Sequence, residues 1–215
     1  MSDPQPWEVG DHEARWIGYL IAPDSSALRN KVGATAVDEL RVAENDLVEA
    51  RVAELRSQPE LVQRTYDLTH LRKLHHHLFQ DVYEWAGDLR TVGIAKGDGD
   101  DNSFIPPLEI DRPVLHVASR IAESNLLRSL SGDALVGEVA NLYDYLNFAH
   151  PFREGNGRTQ REYFAQLLAE SGHGLDWTAI EMADLHSACH VARTEGNPEP
   201  LRAIISAVIT DTPVY

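Results

Sequence analysis

Cysteine is nearly absent. Cys189 is the one thiol among 215 residues, so neither an internal disulfide nor a Cys-x-x-Cys zinc pair can form, and a small core thiol is the expectation. Positive charge is scarce as well. Nineteen Lys and Arg face thirty-four Asp and Glu, a net charge of −15, and such a surface repels phosphate backbones rather than releasing their counterions. Nucleic-acid binding is disfavoured, and any site for a nucleotide needs a local arrangement of amides, arginines and a metal inside a negative field. No stretch approaches the roughly 18–20 uncharged apolar residues of a membrane span, and the opening MSDPQPWEVGDHEARW has neither a basic nor an apolar leader segment. A cytoplasmic protein is expected. Neither a GxxxxGK(S/T) loop nor a complete GxGxxG occurs, which excludes those two phosphate cradles. What is present, 43% apolar and 25% charged residues, suffices for the core of one large domain.

Residues 1–35 are rich in turn formers and aromatics and predict an arm packed on a body formed by 36–215, with Trp7, Trp16 and Tyr19 as packing groups. Leu40, Ala43, Leu47 and Ala50 fall at helical spacing, predicting a helix from Ala36 to about Ser57. After Pro59, Leu68, Leu71, Leu74, Leu78, Val82 and Trp85 predict a second, capped by Asp67 and stopped by Gly87. Residues 90–105 change character: two short β-prone runs flank GDGDDN, predicting a β-hairpin. Pro106 and Pro107 open a helix through Val114, Val117 and Ile121, with Pro113 tolerable near the first turn. Ser131-Gly132-Asp133 starts the next, whose stripe Leu135, Val139, Leu142, Leu146 and Ala149 delivers the chain to His150-Pro151. Then come a helix from about Arg158 to Glu170, one opened by a Thr178/Glu181 capping box, and a last one with Asn197 as its cap and Pro198 as its first residue. The fold class is all-α with one hairpin.

The segment His-Pro-Phe-Arg-Glu-Gly-Asn-Gly-Arg-Thr-Gln-Arg, residues 150–161, concentrates the reactive groups. Gly155, Asn156 and Gly157 would expose backbone amides where a helix begins, an anion cradle with partial positive charge. Arg158 and Arg161 share one helical face and both reach toward phosphate oxygens. Glu154 is a hard oxygen ligand of the kind Mg²⁺ takes on a di- or triphosphate, and His150 is able to take a proton near neutral pH. Two other clusters are weaker. His75-His76-His77 point about 100° apart on a helix and cannot converge on one ion, so a partly solvated face is expected. GDGDD lacks the oxygen spacing of a calcium loop and predicts a turn.

The segment 150–161 resembles the signature of the Fic-domain family, His-x-Phe-x-(Asp/Glu)-Gly-Asn-Gly-Arg-x-x-Arg, at every specified position. Chance agreement is about one in 10⁹–10¹⁰ per starting point. FQDVYEWAGDLRTVGIAKG also looks like the approach to that family's flap. The resemblance implies a Fic-like helical bundle with the signature between two central helices, and transfer of AMP from ATP to a hydroxyl side chain of a target protein. On this chain it implies that His150 is the general base, that Glu154 holds Mg²⁺ on the α- and β-phosphates, and that Gly155, Asn156 and Gly157 form the anion hole. Arg158 and Arg161 would neutralise the β- and γ-phosphates, Phe152 would anchor the loop, and the hairpin would be the flap that aligns the target by strand addition, with Lys96 and Gly97 bordering the nucleotide.

Gly157 favours AMP transfer over the kinase-like Doc branch, which carries Lys there. Phosphocholine transfer and a catalytically inactive interaction module are the alternatives on this scaffold, the second opposed by the intact His150 and Glu154. The short form resembles a bacterial toxin branch, which implies a type II topoisomerase subunit, DNA gyrase or topoisomerase IV, as target. The family's inhibitory pattern, (Ser/Thr)-x-x-x-Glu-(Gly/Asn), is incomplete here: Thr35 with Glu39 and Ser119 with Glu123 are followed by Leu40 and Ser124. A separate small antitoxin protein whose glutamate pairs with Arg161 is the expectation.

Overall fold

The computed structural model describes residues 3–95 and 104–213. In chain order the helices are α1 (His12–Gly18), α2 (Val37–Ser57), α3 (Leu68–Phe79), α4 (Asp111–Glu123), α5 (Gly132–Ala149), α6 (Asn156–Glu170), α7 (Met182–Thr194) and α8 (Glu199–Val208). The two-stranded antiparallel sheet among the described residues joins β1 (Gly174–Leu175) to β2 (Ile209–Thr210) and ties the end of α6 to the end of α8. It is not the hairpin expected at 90–105. There, among the described residues, the flanks share one backbone hydrogen bond, Phe104 N–H to the Ile94 carbonyl at 3.1 Å, and the turn between them, with Lys96, Gly97 and the acidic run, lies outside the described residues.

The core forms where the helical stripes meet. Leu135, Val139, Leu142, Leu146 and Ala149 of α5 are all buried, facing Phe164, Leu167 and Leu168 of α6. At about 25 cal/mol per Å², such fully buried aliphatic side chains each contribute about 1.5–3 kcal/mol. Leu71, Leu74 and Leu78 bring α3 against the same cluster, while Leu201, Ile205 and Val208 bring in α8. Among the described residues no helix is long and apolar enough to cross a membrane.

Several expectations are corrected. The buried face of α2 is Leu40, Glu44, Val48 and Leu55, rotated from the predicted stripe; Ala50 is exposed. The second helix stops at Phe79, not near Gly87, because the Phe79 carbonyl accepts from both Val82 and Tyr83 and the chain curls, burying Val82 and Trp85 in turns. Tyr83 and Trp85 stack at 4.2 Å between ring centroids, which fixes that curl. The Thr178/Glu181 capping box does not form: Asp176 accepts from the Thr178 amide, and Glu181 itself is the N-cap of α7 without a side-chain bond. Pro198 is the N-cap of α8 rather than its first residue, and the Asn197 side chain accepts from Glu199 N–H at 3.2 Å. The arm carries α1, and Trp7 and Tyr19 are buried in the common core.

Candidate active site

Helix α5 ends at Ala149 and α6 begins at Asn156, so the intervening turn sits between the two central helices. His150 takes the left-handed conformation, φ +39° and ψ +60°, which turns the chain out of α5. That costs a non-glycine residue on the order of 1–3 kcal/mol and persists only where neighbours impose it. Arg90 imposes it. Its side chain is 2% exposed, its Nε donates to the His150 carbonyl at 2.7 Å, and its other nitrogens donate to the carbonyls of Val92 and Ile105. Arg90 N–H also donates to the Pro151 carbonyl at 2.9 Å. Burial pulls the Arg90 guanidinium down to about 10, still protonated near neutrality.

The His150 ring is held too. Its Nδ1 lies 3.3 Å from the Asn147 carbonyl, which only accepts, so the tautomer that makes this hydrogen bond carries its proton on Nδ1. The Phe104 ring stacks on the imidazole.

The rest of the turn is built from inside. Phe152 N–H donates to the Asn156 side-chain oxygen at 2.8 Å and the Asn156 amide donates back to the Phe152 carbonyl at 2.7 Å. Asn156 therefore clamps the loop with its side chain, leaving its backbone N–H at the start of α6. Thr159 N–H to the Gly155 carbonyl is the first bond of that helix, so the amides of Asn156, Gly157 and Arg158 precede it. Gly155 has φ +81°, and a Cβ there would lie 2.3 Å from the Phe79 ring.

His75 supports the turn from beneath. It is fully buried, its Nδ1 accepts from Gly87 N–H at 2.8 Å, its Nε2 donates to the Glu154 carbonyl at 3.0 Å, and it stacks on Phe152 at 3.8 Å. Those two bonds require a neutral ring, and burial pushes His75 down to about 3. The expected solvated face is corrected for His75 and for His77, which is 8% exposed. The three side chains bond three different carbonyls, of Glu154, Ala86 and Arg51. They do not converge, and no group of three or more His, Cys, Asp or Glu is placed to hold a metal among the described residues.

Glu154 is the half-exposed carboxylate of the turn, 47% accessible, accepting from Gly155 N–H at 2.9 Å. A lone carboxylate suits Mg²⁺, which takes its remaining ligands from phosphates and water, and does not suit an all-protein cage. Arg158 is engaged by the protein. It pairs with Glu44, donates to Asn45 at 3.1 Å and lies over the Phe79 ring at 4.9 Å. Burial and, second, the Arg161 charge pull it down to about 10. Arg161 makes no ion pair among the described residues.

His150, Glu154, Gly155, Asn156, Gly157, Arg158 and Arg161 line one cleft of about 540 Å³. A larger groove of about 880 Å³ between α2 and α3 contains none of them. Sequence reasoning missed the walls of the site: Asn45 from α2, Trp16 from the arm, Phe104, and Leu185, His186 and Cys189 from α7. Trp16 is thus more than packing, lying 4.3 Å from the Arg153 guanidinium over its ring face. One signal was available for Glu44, behind the wall, which falls four residues after Leu40 and four before Val48 on what is otherwise an apolar face.

The chain matches known proteins over this region. Residues 65–168 match the Fic/DOC family. A protein of Sinorhizobium fredii, "Probable protein adenylyltransferase y4lH", is 33% identical over 88% of this chain and 95% of its own length. The chain belongs to the Fic/DOC family. Another Fic/DOC relative, protein adenylyltransferase VbhT of Bartonella schoenbuchensis, is 32% identical over 88% of this chain, and the chain spans 38% of that relative's length. Among solved structures, the BepC protein of Bartonella tribocorum with bound AMPPNP superposes with a TM-score of 0.80, covering 93% of this chain and 98% of BepC at 25% identity. The helical fold is therefore that of the Fic/DOC family.

Proposed function

We propose that this protein is an adenylyltransferase that transfers AMP from ATP to a hydroxyl side chain of a target protein. The reading is supported by the meeting, in one cleft, of His150, whose Nδ1 is set against the Asn147 carbonyl, and the amides of Asn156, Gly157 and Arg158, which precede the first bond of α6. In this reading His150 Nε2 takes the proton of the target hydroxyl, the oxygen attacks the α-phosphorus, and pyrophosphate leaves. Negative charge growing on the phosphoryl oxygens is met by the amides of Asn156, Gly157 and Arg158 and the partial positive charge of α6. Arg161, which lines the cleft, would face the phosphates, and Arg158 would contribute from its paired position. Glu154 would hold Mg²⁺, which when bound neutralises phosphate charge. The flap flanks at Ile94 and Phe104 would receive an extended target segment as an added strand, with Lys96 and Gly97 bordering the nucleotide.

The finer reading is of a toxin acting in the cytoplasm on a type II topoisomerase subunit and held in check by a small antitoxin whose glutamate pairs with Arg161. It rests on family resemblance and on the incomplete inhibitory pattern in this chain. Incubation of the protein with cell extract and ATP labelled on either the α- or the γ-phosphate tests the chemistry. AMP transfer predicts protein labelling from the α-label alone; labelling from the γ-label would show kinase chemistry instead. Purified DNA gyrase and topoisomerase IV in the same assay test the target, and loss of growth on overproduction, relieved by a neighbouring gene product, tests the antitoxin.

A further inference from the structure

Two carboxylates address the same nitrogen of Arg158. Nη2 pairs with Glu44 of α2, and the Glu154 oxygen lies 3.7 Å from that same Nη2. Glu154 lies in the turn just before α6 and Arg158 in the first turn of that helix, which brings the two side chains within ion-pair reach. Glu44 outcompetes it because it is prepared for the task. Its side chain is 8% exposed against 47% for Glu154, and its second oxygen accepts from the buried Tyr83 hydroxyl. Asn45, next in α2, takes Arg158 Nη1 at 3.1 Å, and the Phe79 ring backs the guanidinium. A buried carboxylate bound by a hydroxyl and a guanidinium has its charge met without water and cannot be traded away cheaply.

We propose that Glu44 is a positioning residue of the nucleotide site: by holding Arg158 to α2, it keeps the Glu154 carboxylate from being captured by Arg158 and leaves it available to a cation carried on the nucleotide. The proposal rests on the adenylyltransferase reading for the identity of that nucleotide, and needs only Mg²⁺-dependent nucleotide binding. It assigns α2, outside the signature, a function in the site. It also divides the arginines, Arg158 being committed to the protein by both terminal nitrogens and Arg161 facing the cleft.

The test is binding of a non-hydrolysable ATP analogue, followed calorimetrically across a Mg²⁺ titration, for the wild type, Glu44→Gln, Arg158→Gln and the double variant. Glu44→Gln should raise the Mg²⁺ concentration for half-maximal binding several-fold, since Arg158 then turns to Glu154. In the Arg158→Gln background the same substitution should produce no shift. That suppression is what a merely structural role would not show. Should Glu44→Gln not fold, Glu44→Asp, still charged but one methylene shorter, is expected to give a smaller shift in the same direction, again suppressed without Arg158. Unchanged Mg²⁺ dependence in folded Glu44 variants, or a shift that persists without Arg158, overturns the proposal. Failure of the transferase reading is separately visible as a wild type that shows the Mg²⁺-dependent binding yet labels no protein from α-labelled ATP.

Discussion

The Phe104 ring lies face to face with the His150 imidazole, centroids 3.7 Å apart and planes 14° from parallel. Phe104 is tied to Ile94 by its N–H, so the segment proposed to receive a target also holds the ring of His150, the proposed base. A stacked aromatic pair contributes about 0.5–1.5 kcal/mol beyond its buried area. Phe104→Ala should accordingly lower kcat/KM for the protein target roughly 2- to 10-fold, with affinity for an ATP analogue unchanged. Steady-state labelling beside calorimetry separates the two. A loss of nucleotide affinity equal to the loss of kcat/KM would show that Phe104 serves the nucleotide instead.

The glycines of the turn have different duties. At Gly155 an added Cβ meets the Phe79 ring at 2.3 Å on a backbone with φ +81°, whereas at Gly157 it meets only the flexible end of Arg161 at 3.3 Å. Gly155→Ala combines overpacking with a left-handed backbone and should cost about 2–5 kcal/mol of stability. Gly157→Ala should leave stability within about 1 kcal/mol, while crowding the cradle and weakening nucleotide binding. Urea unfolding of the two variants side by side checks this, and equal stability would contradict the packing described for α3 against the turn.

Burial of two histidines gives the fold an acid sensitivity. His70 accepts from Tyr66 N–H, donates to Gln166 and is pushed down to about 4 by burial, while His75 is pushed down to about 3. In the unfolded chain both titrate near 6.5. Between about pH 6.5 and 4 the unfolded state therefore binds more protons than the folded one, and stability rises with pH there. The contribution is complete above about 6.5 and is lost as pH falls toward 4, with a slope of up to about 1.4 kcal/mol per pH unit for each ring. His70→Gln, if it folds, should flatten the pH dependence of urea midpoints over that window. A slope unchanged by that substitution would place the sensitivity in other groups.

Legibility in the sequence followed the physics of each element. α5 was readable because its inward positions are all apolar, and the turn was readable because Gly155, Asn156, Gly157 and the flanking charges are consecutive in the chain. α6 was less so. It buries Gln160, Glu162 and Gln166 by pairing them internally, Gln160 to the Tyr143 carbonyl at 2.7 Å and Gln166 to Glu162 at 3.2 Å, and polar residues at core positions carry no apolar stripe. The same limit hid Glu44, whose partners lie 39 and 114 residues away. Arg90 was hidden because its acceptors are backbone carbonyls, which leave no mark on composition. Long-range polar partners of this kind appear only once the helices are packed.

The proposed chemistry assigns His150 to the target hydroxyl and the turn after α5 to the nucleotide. His150→Ala, measured for transfer of α-labelled AMP and, on the same preparation, for binding of an ATP analogue, tests it most directly. Transfer should fall by about 10²–10⁴ with nucleotide affinity preserved. Transfer comparable to wild type, or loss of nucleotide binding in step with loss of transfer, would contradict it.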